Sequence, residues 1–244
     1  MRQIASASRP ATAPHFRYYD LVMAAFVVVL LCSNLIGAAK AAEVTLPLIG
    51  TVTFGAGVLF FPISYIFGDV LTEVYGYGRD RRVIWAGFAA LLFAALMSSV
   101  VLALTPASDP FNVGYQAHLE AVFGNTPRIV AGSILAFWCG SFVNSYVMAR
   151  MKVLMQGRAL WMRTIGSTLC GELVDSALFY TIAFAGIWPH HQLVAVVVAQ
   201  YLIKTSWEIL MTPITYRVIN FLKRREGVDF YDLGTDFNPF RLKP

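Results

Sequence analysis

The chain has 244 residues, of which 57% are hydrophobic and 14% are charged, and its formal net charge is +5 at pH 7. Soluble domains carry about 25% charged residues, so the composition excludes an ordinary soluble protein and indicates a membrane protein. Because the basic residues gather in particular connections between apolar runs, the positive charge needs no nucleic acid to explain it.

The order of composition along the chain predicts an all-α membrane protein. Residues 1–17, rich in Ser, Ala, Pro and Arg, are expected to form a mobile N-terminal tail. Six apolar runs follow, most of them near the roughly 20 residues that a membrane-spanning helix needs. These predicted spans cover residues 21–39, 54–75, 83–104, 129–148, 160–187 and 193–218. The YQAHLEAVF within the connection 105–127 predicts a short interfacial helix. We therefore expect a six-helix transporter domain over residues 18–223 and a C-terminal tail over residues 224–244.

The orientation follows from where Lys and Arg residues fall. Sixteen of the nineteen lie in alternate connections or at the termini: Arg2, Arg9, Arg17, Arg79, Arg81, Arg82, Arg150, Lys152, Arg158, Arg163, Arg217, Lys223, Arg224, Arg225, Arg241 and Lys243. Only Lys40 and Arg128 border the other face, and Lys204 lies within a span. Since cytoplasmic loops are enriched in Lys and Arg, both termini are predicted to be cytoplasmic.

The first span has an alternative interpretation as a cleaved signal peptide. Basic residues precede it, and the following AAKA offers an Ala-x-Ala cleavage site. Its apolar run is longer than the 7 to 15 residues of a signal-peptide core, which favours a membrane span.

A short internal repeat relates the two halves of the chain. GDVLTE (residues 68–73) in the second span matches GELVDS (residues 171–176) in the fifth, which aligns Asp69 with Glu172. One span earlier, two further pairs share a six-residue interval: Asn34 with Lys40, and Asn144 with Arg150. Because three spans is an odd number, the halves would cross the membrane in opposite directions. Such inverted repeats are typical of secondary transporters, whose substrate site lies between the halves near the midplane.

Six ionisable residues within the spans form pairs three or four residues apart: Asp69 with Glu73, Glu172 with Asp175, and Lys204 with Glu208. Each pair shares one helix face. A charge at the centre of a span costs about 2.5 to 3.5 kcal/mol on insertion, so these side chains are expected to face a shared interior. The alternative is a purely structural ion-pair network, but a single Lys leaves a surplus of carboxylates that calls for donors from a ligand, from protons or from neighbouring side chains.

The types of side chain predict the chemistry of the ligand. The predicted substrate-binding residues are Asn34, Asp69, Glu73, Asn144, Glu172, Asp175, Lys204 and Glu208. In this hypothesis the acids of the second and fifth spans bind or guard the substrate, the two Asn residues hydrogen-bond it or brace the acids, and Lys204 with Glu208 sets the charge balance or gates. The aromatic stacking candidates are Tyr65, Phe67, Trp138, Phe179 and Trp207, for each of which lipid-facing packing is the alternative. A planar heterocycle with an amidine-like N–H edge would satisfy a carboxylate and stack on a ring.

Enzyme chemistry is not predicted. The chain has no G-x-x-x-x-G-K-[ST] phosphate loop and no H-E-x-x-H, and Cys32, Cys139 and Cys170 lack metal-ligand spacing. An intramembrane aspartyl protease needs two acids on facing helices, but Phe67-Gly68-Asp69 lacks the glycine that precedes Gly-Asp in that family. We therefore expect no catalytic residue, no metal and no cofactor.

Four stretches carry a closer resemblance: FPISYIFGDVLTEVYGYGRDRRVIWAGF, GSTLCGELVDSALFY, YLIKTSWEILMTP and the closing YDLGTDFNPF. From the first span to the C-terminus, the chain resembles the queuosine-precursor transporter family, also called the vitamin uptake transporter family. The resemblance implies a multi-pass carrier of the bacterial inner membrane that imports 7-cyano-7-deazaguanine and 7-aminomethyl-7-deazaguanine. Such a base would offer N1–H and its amine to a carboxylate, and O6 to Lys204 or an Asn.

Some alternatives remain open within transport. A substrate-capture subunit of an energy-coupling-factor importer is also small, six-spanned and vitamin-binding, although carboxylates on three helices favour a carrier that acts alone. A homodimer through small faces such as Ser167 with Gly171 is a further expectation. The closing YDLGTDFNPF is either an inert tail or a plug near the inner mouth.

Overall fold

The structure is a computed structural model that describes residues 16–36, 41–47, 50–55, 60–124 and 127–241. Its helices are α1 (Tyr19–Leu35), α2 (Phe61–Val70), α3 (Tyr77–Ala103), α4 (Pro110–Phe123), α5 (Pro127–Leu154), α6 (Leu160–Phe184) and α7 (His190–Glu226). The predicted helical fold is therefore confirmed in its main features. The predicted tail up to residue 15 and Lys40 lie outside the described residues.

Three helices of the described chain are long and apolar enough to cross a membrane: α3, α5 and α7. Helix α1 is apolar but shorter, with 17 residues. Helix α6 carries Glu172 and Asp175 near its middle and is not among the three. Large apolar side chains on α3 and α7, such as Phe93 and Leu210, are exposed, as lipid-facing residues would be. The arrangement of six spans in two inverted repeats stays a prediction.

A two-stranded hairpin between α1 and α2 is not predicted from the sequence. Strand β1 (Ala41–Leu46) pairs antiparallel with β2 (Gly50–Gly55). The signal for it is the group of β-branched residues, which favour strands: Val44, Thr45, Val52 and Thr53. The predicted span 54–75 therefore starts too near the N-terminus. Residues 54 and 55 belong to β2, and the helix begins only at Phe61.

Helix α2 runs into a π-helical segment, Leu71–Tyr75, whose five residues are all buried. Segments of this kind are frequent at functional sites. The segment ends at Gly76, whose φ of 85° lies in the region that favours glycine. Helix α3 begins directly after this turn, at Tyr77.

One end of the bundle collects the basic side chains, and we call it the basic end. Here the starts of α1, α3 and α6 meet the ends of α5 and α7. The Arg17 backbone N–H donates to Glu226 Oε2 at 2.9 Å, and Tyr19 OH donates to the Arg79 carbonyl at 3.0 Å. The connections that are predicted to be basic and cytoplasmic thus lie together in space.

Helix α7 extends past the predicted boundary at residue 223 and ends at Glu226. The following residues, 227–241, pack along the basic end, and we call them the C-terminal tail. Its hydrogen bonds with the first turns of α3 are Tyr77 N–H to both Asp232 carboxylate oxygens (3.2 and 3.1 Å), Arg81 to the carbonyls of Asp236 and Asn238 (2.8 and 2.6 Å), and Trp85 Nε1 to the Pro239 carbonyl (2.8 Å).

Helices α5 and α6 approach each other closely through glycines. A Cβ added at Gly171 would lie 2.8 Å from the Asn144 Cβ, too near for a real contact. Ser167 is fully buried, and its hydroxyl lies 3.8 Å from Met148 Sδ on α5. The prediction of a dimer face at Ser167 and Gly171 is therefore wrong, because these residues already pack within the chain. A homodimer through another face stays a prediction.

Candidate functional site

Polar side chains from four helices meet in the interior of the bundle. We call this group the midhelix cluster: Asp69 on α2, Asn144 on α5, Glu172 and Asp175 on α6, and Lys204 and Glu208 on α7. Asp69 and Glu208 are 0% exposed, Glu172 is 3% exposed and Lys204 is 6% exposed. Six of the eight residues predicted to bind substrate therefore belong to one cluster.

Lys204 joins the two acids of α6. Its Nζ lies 2.6 Å from Asp175 Oδ2 and 2.9 Å from Glu172 Oε2. The three-residue spacing of the acids places both carboxylates on one face of α6, which is why a single ammonium reaches both. Asp175 is the more accessible acid, with 22% of its side chain exposed against 4% for Glu172.

The other half of the midhelix cluster has few hydrogen bonds. Asn144 Nδ2 donates to Asp69 Oδ1 over a long 3.4 Å. Asp69 Oδ2 and both carboxylate oxygens of Glu208 have no hydrogen-bond partner among the described residues. The charge of Glu208 acts on Asp69, and the charge of Glu172 acts on Glu208. The cluster is therefore electrostatically continuous, with four carboxylates and one lysine.

Glycines lie on both sides of Asn144, and Gly171 allows a close approach of α6. A Cβ at Gly171 would overlap the Asn144 side chain, and one at Gly68 would lie 4.0 Å from its Nδ2. Gly68 and Gly171 are the first residues of the two matched repeat segments. Asn144 thus lies between the two segments that carry Asp69 and Glu172.

Glu73 lies apart from the midhelix cluster, at the basic end. Its carboxylate is fully buried and has three cations around Oε1. The distances are 2.6 Å to Lys223 Nζ, 2.7 Å to Arg163 Nη2 and 3.5 Å to Lys152 Nζ. Asp229 of the C-terminal tail completes the group, 2.6 Å from Lys152 Nζ. We call these five residues the basic-end cluster.

The cations of the basic-end cluster are functional candidates that the sequence did not single out. From the sequence, these cations contribute only to the predicted orientation of the chain, as basic residues of the connections: Lys152, Arg163 and Lys223. Their positions at the ends of α5, α6 and α7 are the available signal, since Glu73 is also close to the end of its predicted span. Nothing in the sequence says which of the sixteen basic residues would turn inward.

Asn34 is also separate from the midhelix cluster. Its Nδ2 donates to the Leu30 carbonyl of its own helix at 2.9 Å, and its Oδ1 accepts from Ser133 Oγ at 2.8 Å. Asn34 therefore ties α1 to the beginning of α5. The two asparagines matched in the predicted repeat have different surroundings.

The aromatic candidates lie in several places. Phe67 packs against the apolar core, and Trp207 is half-buried. Phe179 contacts the rings of Tyr180 and Phe184. The side chain of Tyr65 lies outside what the structure describes. Trp138 packs against three rings whose centroids are 5.1 to 5.7 Å away: Trp85, Phe142 and Phe240.

Residues 55–218 match the profile of a family described as putative vitamin uptake transporter. The chain belongs to this family. The resemblance drawn from its motifs is thereby confirmed, and the chain is a transporter rather than an enzyme. The matched residues contain the whole midhelix cluster and the π-helical segment. With its apolar helices, the chain is a multi-pass membrane protein.

Three curated relatives of the transporter have related descriptions. It is 34% identical over 161 residues to the probable queuosine precursor transporter of Bacillus subtilis (strain 168), which covers 66% of this chain and 67% of the relative. It is 29% identical over 128 residues to the queuosine precursor transporter of Escherichia coli (strain K12), over 52% of this chain and 54% of the relative. Identity to the probable queuosine precursor transporter of Haemophilus influenzae is 26% over 131 residues, 52% of this chain and 51% of the relative.

The chain thus spans about half the length of the E. coli and H. influenzae relatives that it matches. No solved structure shows a significant similarity to this chain.

Proposed function

We propose that the chain is an inner-membrane carrier that imports queuosine precursors, 7-cyano-7-deazaguanine, 7-aminomethyl-7-deazaguanine or both, without a partner protein. The observation that carries this proposal is the midhelix cluster, a buried group with more carboxylates than cations inside the family-matched region. The descriptions of the relatives supply the class of substrate. A guanine-like base supplies the hydrogen-bond donors that such a cluster lacks.

The acids of α6 are the proposed recognition pair. The N1–H and the exocyclic amine of a deazaguanine point in the same direction, so that one carboxylate accepts both. Asp175 is the acid that a ligand reaches first, because its side chain is partly exposed. Lys204, already 2.6 Å from Asp175, then donates to O6 of the base. Hydrogen bonds to charged groups contribute about 1.5 to 3 kcal/mol each, enough to select the base by its edge.

Phe179 and Trp207 are the proposed stacking partners of the bound base. Phe179 follows Asp175 by four residues on α6, and Trp207 follows Lys204 by three residues on α7. Residues at these spacings share a helix face. Phe67, Trp138 and Tyr65 remain further candidates. Stacking on a ring would orient the base whose edge the carboxylate holds.

Asn34 and Glu73 act indirectly in this proposal. Asn34 holds α1 against α5 through Ser133. Glu73 holds the ends of α5, α6 and α7 together through its three cations. The meeting of the basic connections at one end supports a cytoplasmic position for the basic end and for both termini. The placing of Gly68 and Gly171 around Asn144 supports two related halves.

Binding to Glu172→Gln and Asp175→Asn variants tests the proposed site. Each is expected to weaken binding of 7-cyano-7-deazaguanine to the purified, folded chain at least tenfold, because a neutral amide replaces the charged acceptor. Glu120→Gln is the matched control, since Glu120 is exposed on α4. Wild-type affinity in both α6 variants would place the substrate elsewhere.

A further inference from the structure

Asp69 and Glu208 are two buried acids that have no part in the proposed recognition of the substrate by α6 and Lys204. Both side chains are 0% exposed. Three of their four carboxylate oxygens have no hydrogen-bond partner among the described residues, and the fourth accepts only the 3.4 Å bond from Asn144. An ionised carboxylate in this state is costly, because burial removes its water without supplying a counter-charge.

The groups that interact electrostatically with Asp69 and Glu208 are themselves mostly acidic. Those that act on Asp69 are Glu208 from α7, Glu73 from the π-helical segment, Asp80 from α3 and the amide of Asn144 from α5. Glu172 from α6 acts on Glu208. The salt bridges of Lys204 are with Glu172 and Asp175, and those of Glu73 are with the cations of the basic end. Asp69 and Glu208 form no salt bridge among the described residues.

A ligand of Asp69 and Glu208 would be held by two carboxylates and few other polar groups. A divalent metal needs more, since Mg²⁺ and Ca²⁺ take six or more oxygen ligands. In the described ranges, no group of three or more His, Cys, Asp or Glu side chains is arranged to hold a metal ion. A proton needs only one oxygen, and two neighbouring carboxyl groups that cannot both ionise readily hold one.

We propose that Asp69 and Glu208 form a proton-binding site whose proton moves inward together with the substrate. This rests on the proposed carrier function. The proton binds a carboxylate oxygen from the outer solution, forms a carboxylic acid and leaves to the inner solution as the chain reopens, so that charge and atoms balance over the cycle.

The sign of the coupling follows from the position of Glu208. The charge of Glu172 acts on Glu208. Because electrostatic repulsion is mutual, a proton on Glu208 removes a negative charge that repels the carboxylate of Glu172. An ionised acid on α6 is the form that accepts the N–H edge of the base. Proton binding and substrate binding therefore favour each other, and by reciprocity the substrate favours the proton. Such coupling gives symport rather than exchange.

The backbone hydrogen bonding of helix α7 is interrupted one turn after Glu208, at Pro213. Pro213 has no backbone N–H, so the Ile209 carbonyl one turn earlier lacks its usual helical donor. Thr212 Oγ1 donates at 2.8 Å to the Glu208 carbonyl. A helix that bends here would move Glu208 relative to Asp69, which is the movement that release of a shared proton requires.

Proton entry into liposomes that contain the purified full chain tests the proposal. A pH-sensitive dye inside reports the lumen while 7-cyano-7-deazaguanine is added outside at equal pH. Wild-type protein is expected to acidify the lumen, and the protonophore control should abolish the signal. With acid outside, accumulation should reach about tenfold per pH unit for each proton that accompanies the neutral substrate.

The variants locate the proton. Glu208→Gln and Asp69→Asn are expected to lose both the acidification and the response to the pH gradient, whereas Glu120→Gln keeps both. Substrate entry by wild-type protein without lumen acidification would overturn the proton site and leave the carrier function intact. Absence of any substrate exchange by wild-type protein would instead overturn the proposed function. Acidification retained in both variants would move the proton to other groups.

Discussion

Glu73 and Glu208 are both fully buried glutamates, yet their surroundings are opposite. Glu73 lies within 3.5 Å of three cations, whereas Glu208 forms no salt bridge in the described part of the chain. Removing one partner of a buried ion pair leaves the others uncompensated and costs about 3 to 5 kcal/mol. Removing an unpaired buried charge relieves a cost instead.

Substitution of each glutamate by glutamine should therefore have different effects on stability. We expect Glu73→Gln to destabilise the folded chain by about 3 to 5 kcal/mol. We expect Glu208→Gln to leave stability unchanged or to raise it. Thermal unfolding of the purified variants in one detergent measures both. Equal losses in the two variants would contradict the distinction between the basic-end cluster and the midhelix cluster.

The sequence could predict that these acids are buried, but not what they do. The cost of a charge in a span requires Asp69, Glu73, Glu172 and Glu208 to face the interior. The partners of Glu73 lie 90 and 150 residues away in the chain, at Arg163 and Lys223. A pairing between residues so distant leaves no periodic signal, so Asp69 and Glu73 look equivalent until the helices are packed.

At the scale of elements, the C-terminal tail is a docked segment whose aromatic side chains fit against glycines. The Phe230 ring occupies the space beside Gly76, and the Tyr231 hydroxyl occupies the space beside Gly157. A Cβ at either glycine would overlap the ring or the hydroxyl. Both glycines also have positive φ, 85° and 75°. These contacts dock the tail against the bundle, and a plug near the inner mouth stays a prediction.

Replacing either glycine should release the tail. Gly76→Ala and Gly157→Ala are expected to raise hydrogen exchange of the tail amides, because the added methyl group displaces Phe230 or Tyr231. Gly186→Ala is the matched control, since Gly186 has a φ of 79° but nothing within 4 Å of an added Cβ. It introduces the same backbone strain without the contact. Unchanged protection of the tail in both test variants would show that the aromatic side chains do not hold it.

Two of the three aspartates of the tail, Asp229 and Asp232, give its docking a pH dependence. Burial works to raise the pKa of Asp229, but hydrogen bonds from Lys152 and Lys223 outweigh burial and hold that pKa below 3.8. Burial raises the pKa of Asp232 above 3.8, against the hydrogen bonds from Tyr77 N–H and Thr235. Asp229 therefore stabilises docking above pH 3.8 and loses its effect as the pH falls through its lowered pKa. Asp232 stabilises docking below pH 3.8 and loses its effect as the pH rises through its raised pKa.

On these two groups alone, docking is expected to be strongest near pH 3.8. Hydrogen exchange of the tail, corrected for the intrinsic pH dependence of exchange, should show this maximum between pH 2.5 and 7. Asp229→Asn should remove the weakening on the acid side, and Asp232→Asn the weakening on the neutral side. A wild-type profile without a maximum would contradict the assignment of these two carboxylates.

The elements themselves were predictable to different degrees. The apolar runs locate α1, α3, α5, α6 and α7, because each helix is built from one long run. The hairpin and the late start of α2 escape the same reasoning, since an apolar stretch with β-branched residues fits a strand as well as a helix. The docking of the tail depends on backbone carbonyls and on space beside glycines, neither of which a sequence pattern displays.

At the scale of the whole molecule, one cluster pairs its charges and joins helix ends, and the other is the proposed binding region. The basic-end cluster joins α5, α6 and α7 to the π-helical segment and the tail. The midhelix cluster joins α2, α5, α6 and α7 with a surplus of carboxylates. Family membership was predictable from the motifs. The division of the six membrane-embedded charges was not, because it depends on which helices touch.

Uptake of radiolabelled 7-cyano-7-deazaguanine into liposomes that contain only the purified chain tests the central claim most directly. The account predicts saturable uptake above that of empty liposomes, inhibited by unlabelled 7-aminomethyl-7-deazaguanine and lost in Glu172→Gln. Binding of the substrate without any uptake until partner ATPases are added would contradict it, and would assign the chain to the substrate-capture subunits of energy-coupling-factor importers.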